Sequence, residues 1–242
     1  MKLPVIAHPL YDVQLLSQSD SIKIRPFTVR EEKLMLMATE AKDLKTTIDA
    51  LKQIINNCVV SPNFDVDNMA MIDMETIFLN LRARSIGEQG FAYYKCKNMV
   101  EDPTPKECGM VMDLPIDFLK VPIINTGRDK RIMFTDTIGV QMKYPTFGLI
   151  KHLIDVPENE VESTIAMNCI DLVFDENSVY KGADCTQDEL AEFIDNLPAD
   201  KYEQIKGFIN NLPKTHLEIK RICTKCGFKH EITLEGVEDF FT

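Results

Sequence analysis

The sequence predicts an α+β fold: a mainly helical body with short antiparallel hairpins and a split pair of cysteine-bearing hairpins. Three observations carry this. Capping-box signatures, Thr28 with Glu31 and Thr186 with Glu189, precede runs in which apolar residues recur every three or four positions. Short alternating segments flank turn-forming residues at several points along the chain. Finally, Cys223 and Cys226 are separated by two residues, are followed by Gly227, and lie between alternating stretches.

In chain order, residues 11–27 read as a hairpin. Tyr11, Val13 and Leu15 alternate with polar residues, Ser17-Gln18-Ser19-Asp20 turns, and Ile22 and Ile24 alternate again before Pro26. Thr28 then caps a helix with Leu34, Met35, Met37, Ala38 and Ala41 on one face. Residues 44–59 carry Leu44, Ile48, Leu51, Ile54, Ile55 and Cys58 at helical spacing, stopped by Ser61-Pro62. A third helix over 73–85 turns Ile77, Phe78 and Leu81 inward, with Arg82 and Arg84 near its C-terminus, where the helix dipole favours positive charge.

Gly87 and Gly90 lead into the first cysteine hairpin, 91–114. Residues 130–134 and 138–143 form a further hairpin around Asp136-Thr137. Helices are expected at 145–154, 161–174 and 186–197. Another follows Pro198, with Tyr202, Ile205, Phe208, Ile209 and Leu212 as its stripe. The second cysteine hairpin comes next, and the chain closes on Gly236-Val237-Glu238-Asp239-Phe240-Phe241, whose adjacent phenylalanines dock either on their own core or on a partner. Three regions follow: 1–90, a hairpin plus helices; 126–213, a hairpin plus helical insertion; and 91–125 with 214–242, the β region carrying the cysteines.

Composition narrows the function classes. Of 242 residues, 45% are hydrophobic and 27% charged, as in ordinary globular proteins, with enough length for one large domain or two small ones. No apolar run reaches the roughly 18 residues a membrane helix needs. The N-terminus, with two prolines and no long apolar run, does not read as a signal peptide. Seven cysteines, odd in number and irregular in spacing, suit a reducing compartment, hence a cytoplasmic protein. The formal net charge of −11 argues against a nucleic-acid partner, because phosphate neutralisation needs clustered Lys and Arg.

The cysteines carry the one chemical motif. Cys96, Cys108, Cys223 and Cys226 each lie beside alternating strands, and glycine follows the second cysteine of each pair. Brought together, four sulfurs would close a tetrahedral structural zinc site, a split zinc-ribbon-like arrangement. The insertion 97–107, with Pro103 and Pro105, is affordable entropically but removes the tight-turn geometry on that side. Two alternatives remain open: ordinary hairpins with leftover cysteines, or a disulfide. His216 and His230 are near enough to replace a cysteine ligand, but their positions read as strand surface. Nothing suggests catalysis: no Walker loop, G-x-G-x-x-G, H-E-x-x-H or G-x-S-x-G is present, and the four histidines stand apart from any nucleophile motif.

Several strings resemble the baseplate protein family of T4-like bacteriophages. They are Ile24-Arg25-Pro26-Phe27-Thr28-Val29-Arg30-Glu31-Glu32-Lys33-Leu34, residues 54–59, residues 76–88, and the closing residues 234–241. The family includes the baseplate hub subunit and the hub assembly catalyst. The resemblance implies a non-enzymatic role in building the baseplate hub of the contractile tail, in the host cytoplasm, as assembly chaperone or as hub subunit of the virion. Its partners would be other hub and tail proteins, with Arg25, Arg30, Arg82, Arg84, Phe240 and Phe241 as contact candidates. A different class, a zinc-ribbon adaptor for nucleic acid or transcription machinery, shares the cysteines. It requires a basic face of the kind hinted at by Lys220, Arg221, Lys225 and Lys229.

Overall fold

The chain is described here by a computed structural model over residues 6–41, 43–101, 103–127 and 129–240. Strands β1 (Tyr11–Val13) and β2 (Ile22–Ile24) form the first hairpin, with Tyr11 opposite Ile24 and Val13 opposite Ile22. Alternate residues share a face, so Val13, Leu15, Ile22 and Ile24 are all buried. The connecting loop is anchored by Asp73, whose buried carboxylate accepts the N–H groups of Leu16 (2.8 Å) and Ser17 (3.1 Å).

Helix α1 (Val29–Ala41) follows Thr28. The Thr28 N–H donates to the Glu31 carboxylate at 2.8 Å, while the Thr28 hydroxyl accepts from Arg30 N–H at 3.3 Å. Glu31 is fully buried, and the Arg25 guanidinium lies 3.1 Å from it. Burial pushes the Glu31 carboxyl up, but bonds from Arg25 and Thr28 outweigh burial and hold it at about 2. Helix α2 (Leu44–Cys58) starts on Asp43, which accepts from Thr46 N–H at 2.9 Å.

Helix α3 (Met71–Ser85) begins two residues before the predicted Asp73, fixed there by Met71 N–H donating to Pro145 O at 2.9 Å. It is the spine of the molecule. Met74, Ile77, Phe78 and Leu81 enter the core formed by β1, β2 and α2. Ile72 enters a second core, and Leu79 and Ala83 a third. A helix apolar around most of its circumference is one that other elements must cover on several sides.

The chain continues through β3 (Gln89–Lys95), β4 (Met99–Glu101), β5 (Pro105–Glu107), β6 (Val111–Asp117), β7 (Ile123–Ile124), β8 (Arg131–Met133) and β9 (Gly139–Met142). Helices α4 (Phe147–Leu153) and α5 (Val161–Cys169) come next, then β10 (Ile170–Phe174) and β11 (Val179–Lys181). The single helix predicted over 161–174 is therefore half right. Ile170, Leu172, Val173 and Phe174 favour a strand, and β10 pairs with β9 on one side and β11 on the other. The resulting antiparallel sheet has the order β11-β10-β9-β8.

Helix α6 (Gln187–Asp195) has the complete capping box: Thr186 Oγ1 accepts Glu189 N–H, and the Glu189 carboxylate accepts Thr186 N–H at 2.7 Å. Helix α7 (Ala199–Ile209) places Pro198 just outside its first turn, as N-cap. Leu190 and Ile194 from α6, with Ile205 and Phe208 from α7, cover Val140, Met142 and Ile170 of the sheet in the second core.

Strands β12 (Lys214–Ile222) and β13 (Lys229–Glu235) form the last hairpin, with His216 opposite Glu235 and Ile222 opposite Lys229. The short helix α8 (Gly236–Asp239) ends the described elements. The β3–β6 and β12–β13 hairpins share the third core, where Ala92, Leu114 and Ile116 meet Ile232, Leu234 and Phe240 against Leu79 and Ala83 of α3. The buried Glu75 of α3 fixes the junction, accepting Thr215 N–H at 3.0 Å and the Thr215 hydroxyl at 2.8 Å. The whole is a mixed α+β protein whose two cysteine hairpins, distant in sequence, pack on one another.

Candidate metal centre

The two cysteine turns close with the same backbone bonds. In the first, Cys96 N–H donates to Met110 O (2.8 Å) and Gly109 N–H to Cys96 O (3.0 Å). In the second, Cys223 N–H donates to Phe228 O (2.9 Å) and Gly227 N–H to Cys223 O (2.9 Å). Gly109 and Gly227 have φ of 69° and 74°, the left-handed conformation that glycine adopts without strain. The expectation that the insertion destroys the tight turn is thus corrected. Within the insertion β4 pairs with β5, Met99 opposite Glu107, and Cys108 N–H closes the base on Asn98 O at 2.8 Å. The hairpin leaves and re-enters the turn where the second turn has only Thr224 and Lys225.

The four sulfurs converge. Ligand atoms of Cys96, Cys108, Cys223 and Cys226 all lie within 4.8 Å of one another, and the Cys96–Cys226 and Cys108–Cys223 Sγ separations are both 3.7 Å. Zinc–sulfur bonds of about 2.3 Å in a tetrahedron require sulfurs about 3.8 Å apart. A disulfide needs about 2.05 Å, and the described cysteines are all free thiols. A tetrahedral ion held by these four sulfurs would have no open position, as in structural zinc sites.

Backbone amides and burial set the electrostatics. The N–H groups of Cys226 and Lys225 point at Cys223 and hold its thiol down to about 6. Burial pushes Cys96 up to about 12 despite a bond from Asn98 N–H. The Met110 N–H favours the Cys108 thiolate, yet burial and neighbouring sulfurs leave that thiol raised. Burial opposes the thiolates of Cys96 and Cys108, and a divalent cation among the four sulfurs would compensate them.

His230 was expected on the strand surface; it is buried instead. Its Nε2 lies 3.1 Å from Cys96 Sγ, and its ring meets Tyr94 and Phe228 edge-on, with centroids 5.3 and 4.8 Å away. His230, Ile232 and Leu234 alternate along β13 on the inward face, a signal already present in the sequence. His216 is remote from the sulfurs and bonded to Glu235 (2.6 Å) and Glu218 (3.2 Å), which raise its pKa. Two supporting groups were missed: Asn98, whose amide contacts Cys226 Sγ at 3.7 Å, and Lys225, whose ammonium donates to Cys108 O at 2.9 Å.

The other candidate residues scatter. Arg25 pairs with Glu31, and Arg30 is exposed at the start of α1. Arg82 lies over the Phe118 ring at 4.8 Å; Arg84 pairs with Glu88 at 2.7 Å and covers Tyr11 at 4.8 Å. Phe240 is 1% exposed in the third core, so its contacts are internal. Phe241 lies outside the described residues.

Comparison with known proteins gives a family. No curated protein and no solved structure matches the chain. The sequence model described as T4 bacteriophage base plate protein matches residues 8–242. Over that nearly full-length match, the chain belongs to the T4 bacteriophage base plate protein family.

Proposed function

We propose that this protein is a non-enzymatic assembly factor for the central hub of the phage baseplate, acting in the host cytoplasm, and that its cysteine hairpins form a zinc ribbon. The observation that supports the ribbon is the four-sulfur cluster on two turns of matching hydrogen bonding. The family match supports the baseplate setting. In this reading the N-terminal and 126–213 regions form the body, and the ribbon, held to α3 through Glu75 and Thr215, presents a rigid surface to other tail proteins. Assembly then needs only tighter binding to the productive arrangement of hub subunits than to others.

The chemistry of the site agrees with a structural part. Cys96, Cys108, Cys223 and Cys226 would hold zinc, with His230 beside the Cys96 sulfur fixing its orientation. Zinc would supply only a cross-link between residues 96–108 and 223–226. The buried carboxylates of Glu31, Asp73 and Glu75 are all engaged in hydrogen bonds that hold elements together.

Co-expression with individual hub proteins, followed by size-exclusion chromatography and elemental analysis, tests this reading. The expected result is a stable complex with a hub protein and one zinc per chain. Failure to associate with any tail protein, with salt-sensitive retention on heparin instead, would favour the nucleic-acid adaptor.

A further inference from the structure

The four sulfurs form two crossed pairs. Cys96 is the first cysteine of its turn and Cys226 the second of the other turn; Cys223 and Cys108 stand in the same relation with the turns exchanged. The turns close with the same backbone bonds, so exchanging them carries the first pair onto the second. Both pairs accordingly show one separation, 3.7 Å between Sγ atoms, and each joins the first hairpin to the second. Bonds within a turn, Cys96 to Cys108 or Cys223 to Cys226, would leave the hairpins unlinked. The N–H groups of Cys226 and Lys225 already hold the Cys223 sulfur, and Met110 N–H holds that of Cys108.

Solvent reaches the cluster at Cys226, which is half-buried, whereas Cys96, Cys108 and Cys223 are buried. A cleft of about 590 Å³ between β6 and β12 brings solvent close as well, because its walls include Met110 and Thr224, each near a cluster cysteine along the chain. The remaining thiols are protected. Cys58 and Cys169 lie in the first and second cores, and burial pushes both up to about 12, which keeps them protonated and unreactive. The Cys185 thiol donates to Lys181 O at 3.4 Å.

We propose that the crossed pairs are a redox staple: a peroxide oxidises the cluster to Cys96–Cys226 and Cys108–Cys223 disulfides, which keep the two hairpins joined when no metal is held. In the first step the accessible Cys226 thiolate attacks one peroxide oxygen. The S–O bond forms, the O–O bond breaks, and hydroxide leaves and takes a proton to become water. The Cys96 thiolate then attacks the Cys226 sulfur; the S–S bond forms, the S–O bond breaks, and the second hydroxide is protonated to water. Two sulfurs lose two electrons and the peroxide gains them. Cys108 and Cys223 repeat the sequence with a second peroxide. Each bond requires sulfurs 3.7 Å apart to approach to about 2.05 Å, and links residues 130 and 115 positions apart. Disulfides persist at virion surfaces and not in a reducing cytoplasm, so metal closure suits assembly and disulfide closure suits a released particle. The pairing follows from the sulfur geometry; its use rests on the proposed metal ribbon and baseplate role.

The test treats the purified full-length protein, its zinc content measured beforehand, with increasing hydrogen peroxide. Remaining thiols are alkylated and the linked peptides mapped by mass spectrometry. The expected map is Cys96–Cys226 first and Cys108–Cys223 second, with two peroxides consumed per chain, bound zinc released, and Cys58 and Cys169 alkylated only after denaturation. Amides of residues 89–117 and 214–235 should exchange at least about tenfold more slowly in the oxidised protein than in reduced protein held in chelator, and dithiothreitol should abolish that difference. Disulfides within a turn or between chains, sulfinic or sulfonic acids without cross-links, or exchange as fast in the oxidised as in the chelated protein would overturn the proposal. Zinc-loaded protein that forms within-turn disulfides would reject the staple while leaving the metal ribbon intact. Protein purified without zinc that still forms both crossed disulfides would reject the ribbon while supporting the staple.

Discussion

The helical body and the cysteine ribbon solve the same problem with different means. The body has a large apolar core, drawn from β1, β2, α2 and α3, with Ile24, Ile54, Ile55, Ile77, Phe78 and Leu81 fully buried. It can therefore tolerate an internal ion pair, Arg25 with Glu31, which fixes how the hairpin enters α1. At the tip of the ribbon the buried cluster is only Cys96, Cys108, Met112 and Cys223 with a few partly buried neighbours. The third core joins the two hairpins further down, and at the tip, where little apolar surface meets, the proposed zinc would add a cross-link. Charge is spent on local geometry where the core is large, and sulfur on long-range closure where the core is small.

The largest expected effect separates the two regions directly. Structural zinc contributes about 10–16 kcal/mol of apparent binding energy in small peptides, comparable to the 5–15 kcal/mol, roughly, of a whole domain's stability. A strong chelator, or Cys226→Ser, should unfold the ribbon, and Cys108→Ser should do so equally despite its interrupted turn. Hydrogen exchange should show protection lost over residues 89–117 and 214–235 but retained in α2. Uniform loss throughout would break the contrast.

Next in size is the body's own cross-link. Glu31→Gln leaves Arg25 without its ionised partner, and removing one member of a buried pair costs about 3 kcal/mol. Urea unfolding at neutral pH measures this, and bound zinc should be unchanged. The pH dependence has a definite sign. A carboxyl held at about 2, against 4.5 when free, stabilises the fold above pH 4.5, and that contribution is lost as pH falls toward 2. The Gln variant should show a shallower acid loss than the parent.

Smaller effects compare the two turns. Gly109→Ala and Gly227→Ala each force a Cβ into the left-handed region, at about 1–2 kcal/mol. Because both turns close with the same bonds, the two losses should agree within experimental error in thermal melts. Unequal losses would mean that the turns are not equivalent. Smallest of all, replacing residues 99–107 by a two-residue link should change stability by less than about 1 kcal/mol, since closure entropy varies slowly with loop length. Zinc stoichiometry measures whether the shortened turn still completes the site.

Local features were largely legible in the sequence. The capping box at Thr186, the stripes of α2, α6 and α7, and the hairpin at residues 11–24 follow from spacing and turn chemistry alone. So did the four cysteines as a set, because glycine after Cys108 and Cys226 marks both turns. Two failures have one cause. Residues 161–174 read as one helix because Ile165, Cys169, Leu172 and Val173 fit a helical stripe, and the strand partners that claim residues 170–174 lie in β9 and β11. The insertion after Cys96 reads as removing the tight turn because the Asn98–Cys108 bond that closes its base spans the insertion. His230 shares its strand parity with Ile232 and Leu234, which marks the inward face.

The sequence alone determined the residue types able to bind metal, the glycines that let their turns form, and most helices. These depend on contacts within a few residues. Only the tertiary structure decided that the four sulfurs lie within 4.8 Å of one another, that Glu31 and Glu75 are buried, and that a cleft lies between β6 and β12. Each of these requires segments tens to more than a hundred residues apart to meet, and the energy that selects such meetings is burial of the shared cores on α3, which no local pattern encodes.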